Sequence, residues 1–184
     1  MKGFEPAALG GVKFRRPRPD EAEVFAALHV QCWREAYKGI VPAELMASLT
    51  DEARLPLWQS AIPDPERFAY GAFVDEVPVG LILAGPADEK QIEDQDGHLS
   101  ALYIVASQHR RGIGRALLAL AAEDWLARGG TTMTLGVLAE NQPARAFYEA
   151  LGAKLVKTVP YRWGNAELPQ CIYVLHNLAK IAKV

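Results

Sequence analysis

The stretch LYIVASQHRRGIGRALL, residues 102–118, places two glycines between a strand-like run and a helix-like run. Gly112 and Gly114 remove side chains that would hold a ligand away from the backbone. A helix N-terminus presents unpaired N–H groups and partial positive charge, which favour a phosphate. Three arginines beside the glycines would add charge: Arg110, Arg111 and Arg115. The stretch therefore predicts a strand, a phosphate-binding turn and a helix.

Two common phosphate loops do not fit this stretch. A P-loop needs Lys followed by Ser or Thr after its last glycine, whereas Arg115 and Ala116 follow here. A dinucleotide fingerprint needs a third glycine where the sequence has Leu117. A glycine pair alone is equally consistent with a tight turn between solvated arginines, so a second motif has to decide.

The second motif is LGVLAENQPARAFYEALG, residues 135–152. Together the two stretches resemble the signature segments of the GCN5-related N-acetyltransferase superfamily, Q/R-x-x-G-x-G/A and N-x-x-A-x-x-x-Y-x-x-x-G. The residues in register with the later pattern are Asn141, Ala144, Tyr148 and Gly152. The loop departs at its Gln/Arg position, which is His109. The segment WREAYKGIVPAEL, residues 33–45, also resembles the first helices of many bacterial members.

Hydrophobic periodicity and turn residues predict the elements along the chain. The predicted strands span 12–16, 68–74, 79–84, 98–105, 132–138, 154–159 and 171–175. The predicted helices begin near Glu21, with Asp20 as N-cap, and span 43–49, 51–60, 115–128 and 143–151. This order predicts one α/β (mixed α+β) domain, residues 12–184, with a central, mostly antiparallel mixed sheet flanked by helices. Residues 1–11 are predicted to be a flexible arm.

Composition limits the partners. The chain has 184 residues, half of them hydrophobic, and a formal net charge of −2, so a nucleic-acid binder that works by bulk charge is not expected. Cys32 and Cys171 lack metal-ligand spacing and are interpreted as reduced thiols. The first residues lack a signal-peptide core, and no run approaches the ~20 apolar residues of a membrane span. These features predict a cytoplasmic protein with no metal, nucleic-acid or membrane partner.

The resemblance implies an enzyme that transfers the acetyl group of acetyl-CoA directly to a primary amine. The acetyl-CoA-binding residues implied are Leu102, Tyr103, Ile104, Arg110, Arg111, Gly112, Ile113, Gly114, Arg115 and Asn141. The strand at 102–104 would diverge from its neighbour and leave backbone groups for the pantetheine arm and the acetyl oxygen. Tyr148 matches the proton donor to the leaving sulfur, although its helix face is also consistent with core packing.

The general base is less well defined by the sequence. Some members carry a Glu on the strand before the conserved Asn, but Gly136 stands there. His98 occupies the place of another family base and has a suitable ordinary pKa, yet a water chain would be needed to reach the thioester. The remaining candidates are a bound water and three acidic residues: Glu93, Asp94 and Asp96.

The acceptor stays open at this stage. Trp33 and Tyr37 resemble the acceptor-side wall of the family, Trp163 could cap the same site, and an acidic run that also includes Glu89 could attract a cation. Small amines and protein N-termini are both candidate acceptors, and a homodimer is the assembly common in the superfamily. The alternative function is a non-catalytic acyl-CoA sensor or partner-binding module on the same fold.

Overall fold

The computed structural model describes residues 9–87 and 97–183. The acidic residues Glu89, Glu93, Asp94 and Asp96 lie outside the described residues. The strands are β1 Val12–Arg15, β2 Phe68–Val74, β3 Val77–Pro86, β4 Gly97–Ile104, β5 Met133–Leu138, β6 Lys154–Trp163 and β7 Ala166–Leu175. The helices are α1 Ala22–Ala36, α2 Ala43–Ser48, α3 Asp51–Ala61, α4 Ile113–Ala127, α5 Gln142–Ala150 and α6 Leu178–Ile181.

One seven-stranded sheet in the order β1-β2-β3-β4-β5-β7-β6 organises the chain. Every neighbouring pair is antiparallel except β4 and β5, which are parallel. Alternation along β2 directs Phe68 against Trp125 of α4, while Phe73 packs against Phe25 of α1. Helices therefore cover both faces, and the predicted mixed α/β fold is confirmed.

The parallel strands β4 and β5 pair over a very short segment and then separate. The register pairs that join them are His98 with Thr134 and Leu99 with Leu135. On its other edge β4 stays paired with β3 as far as Ile104, apart from a bulge that leaves Ser100 unmatched. The strands therefore diverge along 100–104, so the β5-facing backbone groups of this segment make no ladder bonds to β5.

The last two strands are longer than the sequence predicts. The sequence predicts a strand over 154–159, but β6 continues to Trp163. Pro160 pairs with Pro169 of β7, so the two residues that lack an N–H donor lie opposite each other. The missing donors therefore fall at one position of the ladder. Trp163, predicted to lie in the connecting loop, is the last residue of β6.

The start of α1 also differs from the prediction. Asp20 belongs to a short 3-10 turn, Pro19–Glu21, and Glu21 occupies the N-cap position of α1. The Glu21 carboxylate accepts two hydrogen bonds from Arg15, at 2.7 and 2.8 Å, and one from the Arg18 backbone N–H. These bonds lower the pKa of Glu21 to about 2. The ion pair with Arg15, the last residue of β1, therefore ties the start of α1 to the end of that strand.

A buried histidine joins α1 to α3. His29 is only 3% exposed, and its Nδ1 accepts a hydrogen bond from the Trp58 indole N–H at 3.3 Å. The accepting nitrogen carries no proton, so the ring is neutral with its proton on Nε2. Burial and the nearby Arg54 charge lower the pKa of His29 to about 3.

This depressed pKa predicts acid sensitivity of the fold. Between about pH 6.5 and pH 3 the unfolded chain binds a proton that folded His29 does not, so the unfolding free energy falls as the pH falls through this window. In urea unfolding between pH 6 and pH 5, we expect the unfolding free energy of the wild type to fall by about 1.2 kcal/mol more than that of His29→Gln. Exposed His176→Gln is the control. Equal losses in the wild type and His29→Gln would contradict the prediction.

Candidate active site

A cleft of about 600 Å³ lies where β4 and β5 diverge. Residues 99–104 of β4 form one wall and residues 135–137 of β5 form the other. The turn before α4, the start of α5 and the end of α1 complete the lining. The cleft therefore lies beside backbone groups that the separation of the strands leaves unpaired.

The turn before α4 has the backbone that its glycines predict. Gly112 is the N-cap of α4 with φ at 82°, in the left-handed region that favours glycine. A Cβ on Gly114 would lie 3.1 Å from Cδ1 of Ile104 and 3.5 Å from Phe147. Gly114 therefore allows the helix to approach both β4 and α5 at the edge of the cleft.

Two side chains hold this turn in place, and neither was predicted from the sequence to do so. Glu35 of α1 accepts the backbone N–H of Ala106 at 2.8 Å through Oε2, and Gln31 donates to its other oxygen. His109 donates from Nε2 to the Ile104 carbonyl at 2.8 Å, since a carbonyl only accepts. Both Glu35 and His109 line the cleft. The residue that departs from the Gln/Arg position thus anchors the turn to β4.

Tyr148 of α5 reaches the same cleft from the opposite side. Its side chain is buried, with 7% exposure, and burial raises the pKa of its phenol well above the ordinary value of 10. The hydroxyl therefore stays protonated across the neutral range and is available as a hydrogen-bond donor. This position fits both interpretations made from the sequence, because Tyr148 packs in the core and lines the cleft.

Asn141 caps the helix that carries Tyr148. Its Oδ1 accepts the Ala144 backbone N–H at 3.2 Å, while the side chain is buried and lines the cleft. Against the larger effect of burial, which raises the pKa of the Tyr37 phenol, Asn141 also lowers it. Asn141 thereby links the start of α5 to the end of α1.

An aromatic cluster forms the wall around Tyr37. The Tyr37 and Tyr103 hydroxyls lie 3.4 Å apart, and both residues line the cleft. Trp33 packs on Tyr37 with 4.5 Å between ring centroids and meets Trp163 edge-on at 5.2 Å. Burial raises the pKa of Tyr37 and of Tyr103, so these phenols also stay protonated.

The structure brings most of the predicted site residues to one cleft. Those that line it are Leu102, Tyr103, Ile104, Arg110, Gly112, Ile113, Gly114, Arg115, Asn141, Tyr148 and Tyr37. Arg111 instead bonds the Gln108 side chain and the Gly10 carbonyl. Trp33 packs on Tyr37 and is not among the lining residues. His98 is also absent from the lining, because it lies at the paired start of β4 with Nδ1 3.1 Å from the Thr134 hydroxyl.

The cysteines are both buried and free. Cys32 lines the cleft, which its position outside the two motifs did not indicate. Burial raises the pKa of the Cys32 thiol to about 12, so the nucleophilic thiolate is scarce near neutral pH. Cys171 lies on β7 with its sulfur 3.9 Å from the Thr158 hydroxyl.

The profile of the Acetyltransferase (GNAT) family matches residues 27–153, which include most of α1, the turn before α4 and the helix of Tyr148. The chain belongs to this family. It is 32% identical over 149 residues to the uncharacterised N-acetyltransferase YuaI of Bacillus subtilis, covering 79% of this chain and 82% of the relative. It is also 31% identical over 149 residues to the uncharacterised N-acetyltransferase Rv2669 of Mycobacterium tuberculosis, covering 78% and 90%.

Solved GNAT structures share the fold. The PaiA N-acetyltransferase of Thermoplasma acidophilum in complex with coenzyme A superposes with a TM-score of 0.69 at 21% identity, covering 86% of this chain and 96% of that one. A GCN5-related N-acetyltransferase of Rhodopseudomonas palustris gives 0.71 at 19% identity, covering 94% and 99%. The predicted GNAT membership is confirmed, and the chain is an acetyltransferase that uses acetyl-CoA.

Other features of this GNAT chain concern partners. Among residues 9–87 and 97–183, no group of three or more His, Cys, Asp and Glu side chains is placed to hold a metal ion. None of the described helices is both long and apolar enough to cross a bilayer.

At Gly136, the site of a glutamate in some members, a Cβ would meet the Gln170 side chain at 2.5 Å. An amide from β7 therefore takes the space beside this position.

Proposed function

We propose that this acetyltransferase transfers acetyl directly to a primary amine in the cleft between β4 and β5. The observation that carries the proposal is the placement of buried Tyr148 on the same cleft as the diverging segment of β4. A hydroxyl donor and free backbone donors then converge on one space, which is the arrangement that acyl transfer requires.

The described residues fit acetyl-CoA. The absent Cβ of Gly114 keeps the mouth of the cleft open between Ile104 and α5, and the N-terminal N–H groups of α4 face an anion site with Arg110 and Arg115 beside them. Residues 102–104 offer backbone groups for the pantetheine arm and Asn141 offers its amide. Acetyl-CoA supplies the thioester that the amine attacks.

Each side chain then has a chemical role. Backbone N–H groups of β4 would stabilise the negative charge that develops on the carbonyl oxygen. Tyr148 would donate a hydrogen bond, and finally its proton, to the leaving sulfur. Because burial raises the pKa of its phenol, stabilising the developing thiolate is the larger part of this role. Protonated Cys32 is a poor nucleophile, which supports direct transfer over an acetyl-cysteine intermediate.

Proton removal from the amine is assigned to water. Tyr37, Tyr103 and Tyr148 all keep their protons, and His98 lies at the paired end of β4 beside Thr134. Glu35 lies on the cleft, but its carboxylate holds the turn through Ala106. An ordered water that passes the proton to solvent therefore fits the described cleft better than a dedicated side-chain base.

The proposal is tested by coenzyme A release from acetyl-CoA with a panel of alkyl amines, polyamines and N-terminal peptides. We expect release that depends on the amine, together with an acetylated amine detected by mass spectrometry. Tight acetyl-CoA binding without release from any amine would favour the alternative, a non-catalytic acyl-CoA sensor. Accumulation of acetyl-enzyme before the amine is added would contradict direct transfer.

The broader organisation belongs to the same proposal. The catalytic domain would span residues 12–184, with residues 1–11 as an arm whose Leu9 lies beside Gly112. We place the enzyme in the cytoplasm, acting on a small amine or a protein N-terminus as a homodimer. Fractionation and light scattering test location and assembly separately.

A further inference from the structure

Arg54 of α3 is a half-buried cation that the proposed chemistry does not use. Its Nε atom is buried without a hydrogen-bond partner. No ion pair joins its guanidinium to a carboxylate within residues 9–87 and 97–183. An unpaired polar atom in the interior is costly, so such a group in a folded protein calls for a partner.

The position of Arg54 connects it to the proposed acceptor wall. The guanidinium carbon lies 5.8 Å from the centre of the Trp33 ring, at the limit of a cation–π contact. The Trp33 ring in turn lies 4.5 Å from Tyr37, which lines the cleft, and 5.2 Å from Trp163. Two aromatic rings, Trp33 and Tyr37, thus lie between Arg54 and the cleft where the amine would react.

Two rings beside Trp33 and Arg54 carry no charge that would offset the guanidinium. His29 and Tyr103 of the adjoining wall are 5.2 Å apart as rings, and both are neutral, since His29 accepts from Trp58 and burial keeps the proton on Tyr103. The charge of Arg54 itself helps to lower the pKa of His29. This part of the acceptor wall therefore has a positive potential surrounded by aromatic rings, which favours an anion carried on an apolar chain.

We propose that Arg54 binds a carboxylate of the acceptor and selects amines that carry a carboxylate at a distance, of the ω-aminoalkanoate type. This inference rests on the proposed amine acetylation. The carboxylate would take the unpaired guanidinium donors, Trp33 would pack along the methylene chain, and the amine would extend past Tyr37 into the cleft. Because Trp33 lies between the two ends, α-amino acids are too short to reach both.

The experiment compares 6-aminohexanoate with its neutral N-methylamide and with shorter and longer ω-aminoalkanoates. For the wild type we expect kcat/KM to favour the carboxylate over the amide by roughly tenfold or more, mainly through KM. Arg54→Gln should remove this preference, Arg54→Lys should restore part of it, and Lys38→Gln, which removes an exposed charge near the end of α1, should leave it unchanged. An unchanged KM for acetyl-CoA shows that the variants remain folded.

A second readout is independent of turnover. Calorimetry with coenzyme A present would measure binding of 6-acetamidohexanoate, the expected product, to the wild type and to Arg54→Gln. Weaker binding of 6-acetamidohexanoate to Arg54→Gln than to the wild type supports the role of Arg54, even when no amine is acetylated. The absence of acetylation would overturn the proposed function alone. Equal binding, or equal carboxylate preference in the wild type and Arg54→Gln, would overturn the role of Arg54.

Discussion

Replacing Gly114 with valine is expected to weaken the binding of acetyl-CoA roughly 100-fold while the protein still folds. A Cβ at this position already lies 3.1 Å from Ile104, and the two Cγ atoms of valine would extend further into the cleft or against Phe147. Side-chain atoms in this space would exclude part of the ligand, and a roughly 100-fold weaker Kd corresponds to a loss of about 2.7 kcal/mol of binding free energy. Fluorescence or calorimetric titration with coenzyme A measures the loss.

A graded series separates this effect from general damage to α4. Gly114→Ala should weaken binding less than valine, since only one close contact has to adjust. Glu123→Val places the same β-branched side chain on a half-exposed position of α4 and should bind coenzyme A normally. If Gly114→Val kept the wild-type Kd, the turn before α4 would not be the phosphate site.

The second large effect is expected from Tyr148→Phe, for which kcat should fall by about 100-fold. The ring fills the same buried space, so only the hydrogen bond to the leaving sulfur is lost. KM for acetyl-CoA should stay within about twofold, because the missing interaction develops during the reaction. Steady-state kinetics with the best amine of the panel gives both constants.

Tyr70→Phe is the matched control for this substitution. Its hydroxyl also lies in a partly buried site, where it donates to Asp124 at 2.7 Å on the α4 side of β2, away from the cleft lining. Loss of that hydroxyl should lower stability without changing kcat. If Tyr148→Phe had the same kcat as the wild type, the role of Tyr148 would be core packing alone.

Local motifs carried most of the fold prediction. The strand, turn and helix around Gly112 and the helix after Asn141 were predicted to within two residues at each end, because glycine, proline and apolar periodicity all act locally. The start of α1 was predicted to within one residue, whereas the 3-10 turn before it, in which Glu21 binds Arg15, was not predicted. The length of the β6–β7 hairpin depends on the pairing of Pro160 with Pro169, which neither segment reveals by itself.

Contacts between distant segments explain what the sequence did not indicate at the site. Glu35 belongs to no motif, and its role emerges only when α1 lies beside Ala106, 71 residues later. Cys32 and Gln170 reach the cleft region for the same reason. Arg54 had no feature that distinguished it from other helical arginines until its burial and its missing partner were known.

The brief pairing of β4 with β5 has a thermodynamic consequence. Within the described residues, two register pairs join β4 to β5, so the sheet consists of two half-sheets connected by a short ladder. A ligand that bonds both edges would couple their local opening equilibria and make amide exchange in the two halves more cooperative. At a hundredfold excess over Kd it would add about 2.7 kcal/mol to the stability. Substrate binding and the integrity of the sheet are therefore linked properties of this chain.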